Sequence, residues 1–290
     1  MDLPIDAHDI EYAENYLVTG DIATALPLLR KLVEMVEEVT EKECVSTDKV
    51  QYFTFEDPFE RLAYRRVEKD PRELVQLDVP LDRLYSALAF ACIQLKDWES
   101  ARDALMQAVR WNPMNCNYRL DLAEIFRVLG DTKEWSALSF SVVERASDAK
   151  SLARAYANLG QFLLDEGNAL AASGCVRLAL NCAPNEQRVT RLVNRIAQEA
   201  PETADDTDDH ALSALAQEGV PTAPSADVAI CLLMSATDAA AAGDKNLATT
   251  LTVRAHELVG EEACRVLVKM IRESDAELAA EAEEAQHAEG

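Results

Sequence analysis

Residues 85–113 read YSALAFACIQLKDWESARDALMQAVRWNP, and residues 156–184 read YANLGQFLLDEGNALAASGCVRLALNCAP. At an offset of 71 the motif residues of the two stretches keep the same spacing. Tyr85 matches Tyr156, Leu88-Ala89 matches Leu159-Gly160, and the Lys96-Asp97 turn matches Gly167-Asn168. Ala101, Ala108 and Pro113 then match Ala172, Ala179 and Pro184. A pair of antiparallel helices needs such a pattern. Ala89 and Gly160 fall midway along a first helix, and Ala101 and Ala172 face them from the second, where a larger side chain would push the helices apart. Ala108 and Ala179 lie seven residues further along the same helical face, where the next pair packs. Pro113 and Pro184 stop the second helix, because proline cannot continue the hydrogen-bond ladder.

A degenerate copy lies between the two, with Leu122-Ala123, Phe126 and Gly130-Asp131. Trp135 stands there at the small-residue position, so a shift of the second helix by one or two residues, bringing Ala137 to the close contact, is expected. Weaker copies flank the core. Ala13, Tyr16, Gly20-Asp21 and Ala25 form one; Ala236, Gly243-Asp244, Ala248 and Ala255 form the other. Over 82–186 the small, aromatic, turn and proline positions together resemble the tetratricopeptide repeat (TPR), whose unit is about 34 residues.

The fold class expected is therefore all-α: a TPR-like superhelix, or solenoid, of antiparallel helix pairs with a helical or irregular insert and no sheet of consequence. The chain divides into a degenerate helix pair (1–42), an aromatic-rich insert (43–81), and a core array with a trailing helix (82–199). An acidic linker with a short helix (200–224), a degenerate pair with a cap helix (225–273) and an acidic tail (274–290) follow. The insert carries Tyr52, Phe53, Phe55, Phe59 and Tyr64. Val50–Phe55 reads as extended, and Asp57-Pro58-Phe59-Glu60 as a helix start with proline in the first turn and a glutamate at the third position. Those aromatics either anchor the insert to the scaffold or plug a groove.

Composition excludes several classes of function. The net charge of −24 leaves no basic field for nucleic acid. It is unevenly spread: residues 1–81 carry 19 acidic and 9 basic side chains, 82–199 carry 14 of each, and 200–290 carry 19 and 5. The longest apolar runs, 87–95 and 228–242, are shorter than the roughly 20 residues of a bilayer span, and the opening lacks the basic start of a secretory signal. Seven cysteines without paired spacing suit reduced thiols in the cytoplasm. His8, His210, His256 and His287 are far apart, and no phosphate loop, GxSxG or HExxH occurs. No cofactor, metal or catalytic residue is expected. The acidic tail, with no apolar stripe, reads as solvated and dispensable for folding, or as a competing ligand for a basic groove.

The resemblance implies a binding mechanism instead: first helices of successive TPR pairs line a concave groove that holds a peptide. Carried onto this chain, that face comprises Arg83, Ala87 and Phe90, then Asn117, Asp121, Glu124 and Arg127, then Arg154, Asn158 and Gln161. Chaperone-binding members of the family clamp a terminal carboxylate with lysine and asparagine. Here Ser86, Phe90 and Asp121 occupy clamp positions, and Arg154 and Asn158 fit only in part, so an internal or amphipathic peptide suits the face better. The arginines are expected to meet ligand carboxylates, or else to pair with Asp121 and Glu124 within the face. A scaffold or adaptor is the leading reading; a client-specific chaperone and an enzyme on a TPR-like fold are the alternatives.

Overall fold

The turn between the helices of each pair needs two things: a residue that tolerates left-handed backbone, and a side chain that caps the second helix. Gly130, at φ 86°, shows the first requirement, and Lys96 adopts the same conformation at φ 59° without glycine's freedom. The second is met by Asp21, Asp97, Asp131, Asn168 and Asp244, each accepting a hydrogen bond from the backbone N–H three residues on, at 3.0 to 3.3 Å.

A computed structural model describes residues 3–273; the tail at 274–290, and what its sequence leads one to expect of it, lie outside them. Helices α1 (Ala7–Val18) and α2 (Ile22–Glu43) open the chain. The insert follows as strand β1 (Val50–Phe53), helix α3 (Pro58–Glu68) and strand β2 (Glu73–Gln76). The array then runs α4 (Leu81–Gln94), α5 (Trp98–Trp111), α6 (Cys116–Leu129), α7 (Thr132–Arg145), α8 (Ala149–Asp165) and α9 (Ala169–Cys182). Next come α10 (Gln187–Glu199), a 3-10 turn at Pro201–Asp205, α11 (Asp208–Gln217), α12 (Ala226–Ala241) and α13 (Lys245–Val259). A last helix, α14, occupies 261–273. The fold is all-α, with the helices packed as consecutive antiparallel pairs α1/α2, α4/α5, α6/α7, α8/α9 and α12/α13.

Small residues sit where the spacing puts them. Ala25, Ala101, Ala108, Ala172 and Ala179 are wholly buried. Two positions differ from expectation. The middle copy is not shifted: α7 starts one residue after its Asp131 cap, as α5 does after Asp97, and Trp135 itself is buried while Ala137 is exposed. The array accommodates an indole where its neighbours hold a methyl group. In the C-terminal copy Ala248 is only half-buried.

The insert contains a short sheet. β1 and β2 pair in parallel, Val50 opposite Glu73 and Phe53 opposite Gln76, with α3 as the crossover. Its aromatics are anchors: Phe53, Phe59 and Tyr64 are buried with Met114, Cys116 and Leu120 of the array, and Phe53 stacks on Phe55 at 4.7 Å. Asp57 and Glu60 complete the expected capping box. The C-terminal pair does not extend the array in line. α12 lies against α3, and Arg254 of α13 reaches Asp57 at 2.6 Å and the Ser147 hydroxyl at 2.6 Å.

A buried polar knot ties insert to array. Glu60 accepts from the backbone N–H of Glu56 and of Asp57 and from the Asn112 amide, which also donates to Asp82 at 3.2 Å; Thr54 donates to Asp82 at 2.9 Å, and Tyr118 faces the same carboxylate. Burial pushes the Glu60 carboxyl up to about 7, and burial raises Asp82 as well. A carboxyl held above its unfolded value near 4.5 keeps its proton longer in the folded state. The contribution of Glu60 to stability is therefore fully present below about pH 4.5 and is lost as pH rises through about 7, by roughly 3 kcal/mol. Glu60→Gln should remove most of this slope: chemical denaturation at pH 5 and pH 8 should differ less in the variant than in the wild type. An unchanged slope would place the proton uptake elsewhere.

Candidate partner-binding face

Positions 83, 87 and 90, then 117, 121, 124 and 127, then 154, 158 and 161 are spaced by three or four residues, so each set shares one face of its helix. Helices α6 and α8 pack together and Tyr118 of α6 reaches Asp82 of α4 at 3.4 Å, with α1 flanking α4 and α10 flanking α8.

At the α1 end the face is apolar and open. Phe90 is 45% exposed although it is a large aromatic, and Val18 is 85% exposed. With Leu17, Ser86 and Ala87 they line a cleft of about 340 Å³, rimmed by Glu14 and Arg83. The Arg83 guanidinium is held by Glu14, with Nε 2.8 Å from the carboxylate.

Towards α10 the face is polar and internally paired. Arg154 donates to Asp121 at 3.2 Å, and Arg127 to Glu124 at 2.9 Å. Glu124 also takes an ion pair from Arg188 of α10. Asn158 lies beneath the face, 4% exposed, donating to the Ser139 hydroxyl at 3.1 Å. Asn117 is exposed in the first turn of α6, and Gln161 is half-buried. The three arginines expected at the groove thus pair with acids of the protein itself. A ligand carboxylate would have to displace Asp121 or Glu124 from these pairs.

Two residues of this face escaped sequence reasoning, Glu14 and Arg188, and the repeat carries a signal for both. Glu14 stands seven residues before its Asp21 cap, as Phe90 does before Asp97, Glu124 before Asp131 and Gln161 before Asn168. Arg188 is Asn117 displaced by the same offset of 71 that relates Arg83 to Arg154. Helix α10 is therefore the first helix of a further half-repeat, packed on α8 and α9. The insert contributes no partner to these side chains, and the Phe53 ring is buried in the scaffold rather than offered to a ligand.

The thiols near the array are not arranged for reactivity. Burial pushes Cys116 up to about 12 and Cys182 up to about 11, and raises Cys175 strongly, so thiolate is scarce at neutral pH. No helix among the described residues is long and apolar enough to cross a membrane.

No family model matches the chain, and no curated protein matches it. Among solved structures it is similar to one described as the functional characterization of Pseudomonas aeruginosa pilF, at 14% identity over 92% of this chain and 96% of that chain, with a TM-score of 0.46.

Proposed function

We propose that this chain is a TPR-type interaction scaffold that holds a segment of a partner protein on the face of α1, α4, α6 and α8 and catalyses nothing itself. The reading rests on Phe90. This half-exposed phenylalanine forms one apolar cleft with Leu17, Val18 and Ala87, and contiguous apolar surface of this kind marks interaction sites. Aromatic anchors ringed by polar groups are the pattern of interface hot spots. The paired arginines along the face favour a segment with an apolar anchor in the cleft and carboxylates that exchange with Glu14, Asp121 and Glu124. The buried thiols suit a reducing compartment, and the cytoplasm is the proposed location.

The test is affinity purification of the tagged full chain from its native cell, followed by affinity measurement with the partner recovered. Phe90→Ala should weaken that partner by about 1–4 kcal/mol, the range of true hot spots, and Arg154→Ala should weaken it in the same direction. Phe90→Ala should not lower the melting temperature appreciably, since Phe90 is half-exposed, whereas Arg154, 15% exposed, also loses packing. Wild-type affinity in both variants would remove the site from this face.

A further inference from the structure

A second surface differs from the groove in its electrostatics. Arg72, Arg83, Arg127, Arg145, Arg154, Arg177 and Arg254 each sit within 4 Å of a carboxylate. Arg61 and Arg65 have no such carboxylate among the described residues. Among the described residues their hydrogen bonds go to backbone carbonyls alone, Arg61 to Leu74 O at 2.9 Å and Arg65 to Asp70 O at 2.9 Å. Both side chains are exposed and stand one helical turn apart on α3, about 5–6 Å from each other at Cβ.

They border a cleft of about 540 Å³ between α3 and α12, whose apolar surface comes from Leu62, Ala239, Ala242 and Leu247. Its walls are clasped by ion pairs on either side, Arg66 to Asp227 at 3.5 Å and Arg254 to Asp57 at 2.6 Å, so the cleft is part of the packed insert and not a gap between loose pieces. The remaining charge in it is Asp238, exposed on the α12 wall. Two guanidiniums against one carboxylate over an apolar floor leave the cleft lining with a net positive charge, in a chain of net charge −24.

We propose that the α3/α12 cleft docks an acidic amphipathic segment of a partner protein, with two carboxylates one helical turn apart on Arg61 and Arg65 and an apolar side chain on the floor. The spacing of the arginines matches glutamates four residues apart on a helix, and each pair is a charge-assisted bond with bidentate geometry open to it. A nucleic acid is the poorer occupant, because a polyanion meets only two cations here and the net charge of the rest repels it. This surface is separate from the Phe90 face and does not depend on it.

The probe is a fluorescent (Glu-Leu-Ala-Ala)3 peptide titrated into the full chain by anisotropy, with (Lys-Leu-Ala-Ala)3 as control. The acidic peptide should bind saturably and lose affinity with added salt; the lysine peptide should not bind. Arg61→Glu with Arg65→Glu should weaken binding about tenfold or more. Asp238→Asn, an exposed change without structural partners, should tighten it, and this variant decides the matter if the double reversal fails to fold. Phe90→Ala should leave it unchanged. Absence of binding, equal binding by the lysine peptide, indifference to Asp238→Asn, or loss with Phe90→Ala would each overturn the proposal. Binding that emerges only when residues 274–290 are deleted would also overturn it, by giving the cleft to the chain's own acidic tail.

Discussion

Trp135→Ala is expected to destabilise the protein by about 3–5 kcal/mol, the usual loss for a fully buried aromatic cut to a methyl group. Trp135 is 2% exposed and sits at the repeat position where Ala101 and Ala172 stand in the neighbouring pairs. It is tempting to read the substitution as a return to consensus. The packing says otherwise. The α6/α7 pair has closed around an indole, and the neighbours cannot follow a shrinking side chain without moving two helices. Trp135 Nε1 has no hydrogen-bond partner among the described residues, so the loss comes from packing. Trp135→Phe, which removes the unpaired N–H and keeps most of the ring, should cost much less, below about 1.5 kcal/mol. Urea denaturation of the two variants measures the difference. A stability loss below about 1 kcal/mol for the alanine variant would mean that this pair can collapse to the consensus spacing.

Gly160→Leu should cost roughly 3 kcal/mol, at the upper end of the range for overpacked cores. A Cβ at Gly160 would lie 2.6 Å from Leu192 Cδ2 and 2.9 Å from Cys175 Cβ, with the Ala172 carbonyl oxygen at 3.4 Å. The leucine tip can swing aside. Cys175 Cβ is fixed to the α9 backbone and cannot, so the α8/α9 crossing has to open. Gly160→Ala already meets that contact and should show a smaller loss of the same sign. A melting temperature unaltered by the leucine would remove the close crossing on which the repeat depends.

Much of the fold was legible in the sequence because the constraint at a helix crossing is local and repeats. Ala101, Ala172 and Gly160 announce their role by size, and the aspartates after each turn by their capping chemistry. What was not legible depends on contacts between distant segments. Glu73–Gln76 becomes a strand only because Val50–Phe53 lies beside it. The Asp57–Arg254 pair joins residues 197 apart, so no periodicity hints that α12 folds back onto α3. Gly174 is equally silent: a Cβ there would fall 2.6 Å from the Ala211 carbonyl oxygen, and α11 belongs to no repeat. The face residues come from the family resemblance; their spacing puts each set on one side of its helix, and Asn158 among them is buried. Pairing of Arg127 and Arg154 with Glu124 and Asp121 is one of the two readings the sequence leaves open, whereas Arg83 pairs with Glu14 from a helix flanking the central copies.

The most direct test of the binding face is site-specific photocrosslinking in the native cell. A benzophenone side chain replaces Phe90 in one protein and Met106 in another. Met106 is 50% exposed on α5, a second helix, so the two positions report opposite faces of the same pair with similar accessibility. The account predicts that position 90 captures a discrete partner band and that position 106 does not. Capture from position 106 alone would contradict it and move recognition to the outer surface of the array.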